Sequence, residues 1–138
     1  MTDSTDVTKN YLALWNEPDA DRRRRTIAEL WTKDGRHIVQ PPQEIRAIAA
    51  RPGLAMTAIL EARGHAEIEA RAASAYEHWV GSEGLSFQGR DDAERVGDVV
   101  KFHWEAIAEG GDVFGVGLVF LVLAADGRIE RDYTFVVG

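Results

Sequence analysis

The stretch Val113-Phe-Gly-Val-Gly-Leu-Val-Phe-Leu-Val-Leu123 is apolar at both of its alternating sets of positions, and it lies between two sequences typical of tight turns. Gly110-Gly111-Asp112 precedes it and Ala125-Asp126-Gly127 follows it. Glycine after aspartate adopts the positive φ angles that short hairpin turns require. The pattern therefore predicts a long strand that is joined by hairpins to both of its neighbours. One set of alternating positions carries Phe114, Val116, Leu118, Phe120 and Val122, and the other carries Val119, Leu121 and Leu123.

The C-terminal half around this stretch changes its hydrophobic period from about 3.6 to 2 after Gly81, which indicates strands. We predict an antiparallel meander for the last three of them. The four predicted strands run from Leu85 to Arg90, from Val99 to about Ala108, from Val113 to about Ala124 and from Ile129 to Val137.

The N-terminal half shows helical spacing, with apolar residues recurring every third or fourth position. We predict helices from Ser4 to Asn16, from the capping residue Asp19 to about Thr32, and from His65 to Val80. Helices followed by consecutive hairpins predict an α+β domain with the helices packed on one sheet face.

Between the second and third predicted helices, Gly35 is placed as the stop after the second helix, and Arg36 to Gln40 as a short strand. Gln43 to Gly64 is rich in alanine and small apolar residues. It is predicted as two short helical pieces or as a loop with one helix.

The composition fits one domain over residues 1–138, and its charge argues against some classes of binding partner. The chain has 23 acidic and 16 basic residues, a formal net charge of −7 and no cysteine. Binding to nucleic acid is not expected, because it relies on clustered basic residues. The polar, acidic start, the lack of cysteine and the lack of a bilayer-length apolar run predict a cytoplasmic protein without membrane attachment.

Both faces of the predicted central strand need cover, and helices can cover only one. A large apolar patch in water is unusual for a monomer. A second copy of the chain is the simplest cover for the other face, so a homodimer is expected.

The order of these features resembles the SnoaL-like branch of the nuclear transport factor 2-like superfamily over nearly the whole chain. The resemblance rests on the stripe of the first helix, on Leu30-Trp31-Thr32-Lys33-Asp34-Gly35, on a helix opening at Gly64-His65, and on hairpins ending in Asp126-Gly127-Arg128-Ile129. It implies a cone-shaped, cystatin-like α+β half-barrel, in which a bent antiparallel sheet surrounds an apolar pocket. Homodimers are common in this superfamily.

Two enzyme types of the superfamily are not matched residue by residue. Proteins similar to ketosteroid isomerase carry a general-base Asp where this chain has Gln40, and an amide cannot serve as a base. Limonene epoxide hydrolase has an Arg-Asp-Tyr sequence that Arg131-Asp132-Tyr133 resembles, but Trp104 and Ala106 stand where its other two catalytic residues are expected. Glu105 points to the opposite face unless a bulge intervenes.

The resemblance to polyketide cyclases leaves Asp132 as the predicted catalytic acid and base, its pKa raised by an apolar pocket. Strand parity places Asp132, Thr134 and Val136 on the pocket side, although the opposite side is more apolar. The predicted ligand-binding residues are Tyr11, Trp15, Gln40 and Trp104.

The four histidines, His37, His65, His78 and His103, are too scattered to predict a metal site, and no cofactor is expected. His37 and His103 are expected to face a pocket only if Phe102 and Trp104 face away from it. His65 is expected to support the first turn of the third helix.

Three functions are left open. The first is an isomerase, cyclase or hydrolase that acts on a small apolar molecule carrying oxygen. The second is a non-catalytic ligand-binding or accessory protein, which the missing catalytic carboxylates favour. The third, a dimerisation module, would need an exposed groove that the sequence does not indicate.

Overall fold

A computed structural model describes residues 4–40 and 60–137. The helices are α1 (Ser4–Asn16), α2 (Ala20–Leu30) and α3 (Gly64–Ala75), and a π-helical segment (Tyr76–Ser82) continues α3. The strands are β1 (Trp31–Val39), β2 (Leu60–Arg63), β3 (Ser86–Gly89), β4 (Glu94–Val96), β5 (Val99–Ile107), β6 (Val113–Leu123) and β7 (Ile129–Val136).

The described strands form one open sheet in the order β2-β1-β7-β6-β5-β3, and β4 pairs with β5. The predicted meander of β5, β6 and β7 is confirmed. The sheet is mixed, whereas an antiparallel sheet was expected, because β1 pairs with β7 in parallel. These two strands lie far apart in the sequence, so no hairpin turn fixes their relative direction. The three helices within the described ranges pack on one face of the sheet, as predicted.

The first two helices begin where the sequence predicts. Helix α1 has the predicted bounds, and the carboxylate of Asp19 caps α2 by accepting a 2.8 Å hydrogen bond from the backbone N–H of Asp21. The second helix ends at Leu30 and not near Thr32, because Trp31 adopts extended backbone angles and is buried as the first residue of β1. Gly35 is therefore no helix stop. It lies within β1, where a Cβ would come within 2.7 Å of the Trp31 side chain.

The third helix buries Ile68 and Ala72 and continues, without a break, as the π-helical segment. Widening of the helix changes the direction of later side chains, so Trp79 does not enter the core and is 37% exposed. Among the described helices, none has the length and apolar character needed to cross a membrane.

Two strands were not predicted. Leu60–Arg63, expected to be helix or loop, is strand β2 and pairs with β1. Residues 43–59 of that predicted segment lie outside the described residues. Strand β4 has three exposed residues, so it gives no alternation of apolar and polar positions. Both strands are short and are held by the longer strand beside them.

The core lies between the helices and one face of the sheet. Tyr11 is at its centre, with ring centroids 5.9, 5.8 and 5.6 Å from those of Trp15, Trp31 and Phe102. On β6, the face that carries Val119 and Leu121 is fully buried against this layer, and the other face is only half-buried. Helix packing therefore covers one of the two apolar faces of β6.

The indole of Trp104 lies over Gly117, its direct neighbour across β5 and β6. A Cβ at position 117 would overlap the Trp104 ring. Glycine is required here for close approach of an aromatic ring to the backbone.

We expect Gly117→Ala to lower the free energy of unfolding by about 1 to 3 kcal/mol, because Trp104 must leave its position. Urea unfolding measures this change. Gly110→Ala is the control, since a Cβ there would meet nothing within 4 Å. In the Trp104→Ala background the Gly117→Ala penalty should largely disappear, and an unchanged penalty would contradict the proposed overlap.

Candidate functional site

A cavity of about 610 Å³ lies between α1, α3 and the helix-facing side of the sheet. All four predicted ligand-binding residues, Tyr11, Trp15, Gln40 and Trp104, are on its wall. The remainder of the wall is mainly apolar and includes Leu12, Val39, Leu60, Leu85, Phe87 and Ala106. This size and lining are typical of sites for small, largely apolar molecules.

A buried His37–Asp132 pair lies at the base of the cavity. The two residues are register partners on β1 and β7, and Nδ1 of His37 is 2.7 and 2.9 Å from the two carboxylate oxygens of Asp132. The side chains are 5% and 0% exposed. His37 is on the cavity wall, whereas Asp132 lies behind it and is not among the described lining residues.

The predicted parity of β7 is confirmed, because Asp132 and Thr134 are buried on the helix side and Tyr133 lies on the opposite face. The catalytic role given to Asp132 assumed that its carboxylate itself meets the ligand. In the structure its oxygens are turned to His37, so the group that reaches the cavity is the imidazole.

The two nitrogens of the His37 ring have different surroundings. Nδ1 contacts Asp132, and a carboxylate accepts hydrogen bonds, so Nδ1 carries the hydrogen when Asp132 is ionised. Nε2 has no hydrogen bond to any other residue in the described ranges, and His37 lies on the cavity wall. Nε2 is therefore the nitrogen available to a molecule in the cavity. The ring is held in place by Trp15, whose ring centroid is 5.0 Å away.

Tyr11 brings a hydroxyl to the same end of the cavity. Its oxygen is 3.4 Å from Oγ1 of Thr134. Burial, and secondly the charge of Asp132, raise the pKa of Tyr11 well above its ordinary value. Tyr11 is consequently a neutral hydrogen-bond donor across the physiological pH range.

The carboxyl group of Asp132 is affected by opposing influences. Burial raises its pKa above the ordinary value for aspartate, while the charge of His37, hydrogen bonds from His37 and Tyr11, and the charge of Arg71 act to lower it. Burial is the largest of these influences, and the pKa of Asp132 is raised overall.

Gln40 is anchored at the end of β1. Its backbone N–H donates to the carbonyl of Thr134 at 2.9 Å, and its side-chain oxygen accepts from the backbone N–H of Val136 at 3.0 Å. The amide oxygen is therefore engaged with β7, and the NH₂ group is left to donate. Gln40 can orient a ligand oxygen but cannot change its own protonation state.

The other histidines lie away from the cavity. Nε2 of His65 is 3.0 Å from the carbonyl oxygens of Trp31 and Thr32, so His65 attaches the first turn of α3 to the start of β1. His103 lies on the outer face of the sheet, where Nδ1 is 2.6 Å from the carboxylate of Asp92. In the described ranges, no three His, Asp or Glu side chains are grouped so as to hold a metal ion.

Sequence reasoning missed His37 because it linked the direction of His37 to that of Phe102 and Trp104. These residues lie on different strands, and His37, Phe102 and Trp104 all point to the helix side. One signal was present in the sequence. The carboxylate of Asp132 was assigned to the inner face of β7, and a buried carboxylate needs a hydrogen-bond donor, which a neighbouring strand can supply.

The chain matches no protein-family model and no curated protein. It does match solved structures. One is a candidate isomerase of the SnoaL-like family from Agrobacterium tumefaciens, which is 25% identical with a TM-score of 0.78; the match covers 100% of both chains. A second is a SnoaL-like protein of unknown function from Burkholderia thailandensis, 18% identical with a TM-score of 0.65, covering 100% of this chain and 99% of the other.

A third similar structure is a candidate polyketide cyclase from Sinorhizobium meliloti, 15% identical with a TM-score of 0.58, with 96% of this chain and 99% of the other covered. Below 25% identity such matches show the fold alone. Together with the element order, the match to the Agrobacterium protein over its full length supports the resemblance to the SnoaL-like branch of the nuclear transport factor 2-like superfamily, and the fold is the one that these proteins share.

Proposed function

We propose that this protein binds a small, largely apolar carbonyl compound in the cavity and moves a proton on it, as an isomerase or a cyclase does. The observation that carries the proposal is the His37–Asp132 pair, which leaves Nε2 of His37 at a mainly apolar cavity with no partner among residues 4–40 and 60–137. A histidine oriented by a buried carboxylate is an effective general base near neutral pH.

The proposed step breaks a carbon–hydrogen bond next to the carbonyl group. The proton bonds to Nε2 of His37, the electron pair of the broken bond forms a carbon–carbon double bond, and the carbonyl oxygen becomes an enolate oxygen. If the proton returns to another carbon, the product is an isomer. If the enolate carbon attacks a second carbonyl, a ring closes and the proton goes to the new alkoxide.

Each polar residue of the site then has a role. Asp132 holds Nδ1–H and stabilises the imidazolium that forms, as a positioning residue rather than as the direct acid and base predicted from the sequence. The hydroxyl of Tyr11 donates to Asp132 and so supports the ionised carboxylate behind His37. Gln40 orients the ligand through its NH₂ group, and Trp15 and Trp104 form apolar walls.

A non-catalytic ligand-binding protein is the second candidate. It is favoured by the mainly apolar wall, which suits binding without chemistry. Both candidates use the same cavity, and the fate of a bound ketone distinguishes them. A cytoplasmic location remains a prediction from the sequence.

The outer face of the sheet supports the expected homodimer. Leu118, Phe120 and Phe135 form an apolar strip there, with the Phe120 and Phe135 rings 5.9 Å apart and Phe135 42% exposed. The described helices all pack on the other face. We propose that a second copy of the chain covers this strip.

The proton-transfer step can be tested with 2-tetralone, a bicyclic ketone. We expect the protein to accelerate exchange of its activated hydrogens with solvent deuterium, followed by proton NMR in D₂O. His37→Ala should lower the protein-dependent rate by about 100-fold or more, the usual contribution of a general base.

A matched control exists on the outer face, where His103 makes the same type of contact with Asp92. His103→Ala should leave the exchange rate unchanged. Equal losses in both variants would show that the cavity histidine has no special role. Binding of the ketone without accelerated exchange would favour the non-catalytic candidate.

The protonation of Asp132 predicts a pH dependence of stability. Between the unfolded-state pKa and the raised folded-state pKa, the folded protein keeps a proton that the unfolded chain releases, so the free energy of unfolding falls as pH rises through this window. Asparagine does not titrate, so Asp132→Asn should remove this decrease in the free energy of unfolding. The stability of the variant relative to the wild type should increase with pH in this window and then level off, as measured by urea unfolding from about pH 3 to about pH 8.

Asp92→Asn is a comparison variant for which the pH dependence of stability should have the opposite sign, because the pKa of Asp92 is lowered. Burial acts to raise the pKa of Asp92, but hydrogen bonds from His103 and the charge of its ring outweigh burial and lower it. The stability that Asp92 contributes is present above its unfolded-state pKa and is lost as pH falls through its folded-state pKa.

One outcome would contradict the proposed step. If the stability of Asp132→Asn relative to the wild type still increases above about pH 7, the carboxyl group of Asp132 is protonated at neutral pH.

The homodimer predicts a mass near twice 15.3 kDa by light scattering at micromolar concentration. Phe120→Lys should give the single-chain mass and leave unfolding cooperative, because it places a charge on the proposed interface. Val96→Lys, on exposed strand β4, is the control and should remain dimeric. A single-chain mass for the wild type would contradict the proposed interface.

A further inference from the structure

Arg71 is a cation on the wall of a mainly apolar cavity. It lies on α3 and is half-buried, one turn before Ala75, which lines the same cavity. Its charge reaches the base of the cavity, where it acts on Asp132. Sequence reasoning did not select it, because a single arginine on a helix is usually solvated.

The Arg71 side chain has neither a hydrogen bond nor an ion pair with another residue in the described ranges. Of the other arginines described, only Arg25 shares this property, and Arg25 is exposed, so that water supplies its acceptors. The rest each donate to, or pair with, an oxygen atom: Arg22, Arg23, Arg24, Arg36, Arg63, Arg90, Arg95, Arg128 and Arg131.

In the described ranges the side-chain nitrogens of Arg71 have no protein acceptor, and each keeps some accessible surface at the cavity wall, so they are open to an acceptor that enters the cavity. The carboxylate of Asp132 is not this acceptor, because the charge of Arg71 acts on it without a hydrogen bond or ion pair between the two side chains. The planar guanidinium has donors spaced to match the two oxygens of a carboxylate. A ligand in the cavity can therefore supply the missing acceptors.

We propose that the natural ligand of this cavity carries a carboxylate, which pairs with Arg71 while the apolar body of the molecule packs against Trp104 and Phe87. The inference rests on the proposed function and specifies its substrate class: a small, apolar oxo acid. The chain has a net charge of −7, so a local cation is needed to hold an anion here. Pairing at Arg71 fixes one end of the substrate and presents the rest of it to His37.

The test compares 2-naphthoate with its neutral analogue 2-naphthamide by isothermal titration calorimetry. We expect the wild type to bind 2-naphthoate more tightly. Arg71→Gln should weaken binding of 2-naphthoate by roughly ten- to a hundredfold, the usual range for hydrogen bonds to a charged group, and leave 2-naphthamide unchanged. Arg25→Gln removes the same charge from the surface of α2 and should change neither affinity.

Equal affinity for the two probes, or equal weakening of both by Arg71→Gln, would overturn the carboxylate assignment. That result would leave the proposed function standing, because 2-tetralone has no carboxylate and its exchange depends on His37. If neither probe binds while 2-tetralone exchanges, the carboxylate assignment also fails. Loss of both probe binding and exchange would reject the proposed function together with this inference.

Discussion

A carboxylate with no exposed surface must find hydrogen-bond donors inside the protein, and Asp132 meets this requirement through His37 on the adjacent strand. The contact depends on the parallel pairing of β1 with β7, which sets the two residues side by side. It also gives the imidazole one orientation, with one nitrogen facing the carboxylate. The direction of one strand pair thus determines which atom of the histidine a bound molecule can meet.

The aromatic residues around this pair keep the cavity open while they complete the core. Tyr11 belongs to the core and to the cavity wall, because its ring packs against Trp31 and Phe102 and also lines the cavity. Trp104 covers Gly117 on the sheet and forms part of the wall. The packing that stabilises the fold is therefore the packing that shapes the site, and few wall residues are free to change without an effect on stability.

Local patterns in the sequence predict much of this fold. Helix α1, the cap at Asp19 and the β5–β6–β7 meander follow from helical spacing, capping chemistry and turn residues, all of which act over short distances. The predicted start of β1 was wrong because Trp31 continues the helical spacing of α2. In the structure its backbone is extended and its side chain is buried in the core as the first residue of β1. Residues on the cavity wall were identified by their aromatic character, but the His37–Asp132 contact spans 95 positions of sequence, and no local pattern encodes such a distance.

The π-helical segment after α3 places Trp79 at the cavity, where its ring centroid is 6.2 Å from that of Phe114. A π turn contains about one residue more than an α turn. Removal of a single residue between Tyr76 and Ser82 would let the chain continue as an ordinary α-helix, and the residues beyond it would keep nearly the same direction around the helix axis, because the wider turn takes up the extra residue. Residues within the segment would shift by one position, so the place of Trp79 on the cavity wall depends on the number of residues in this segment as well as on their identity.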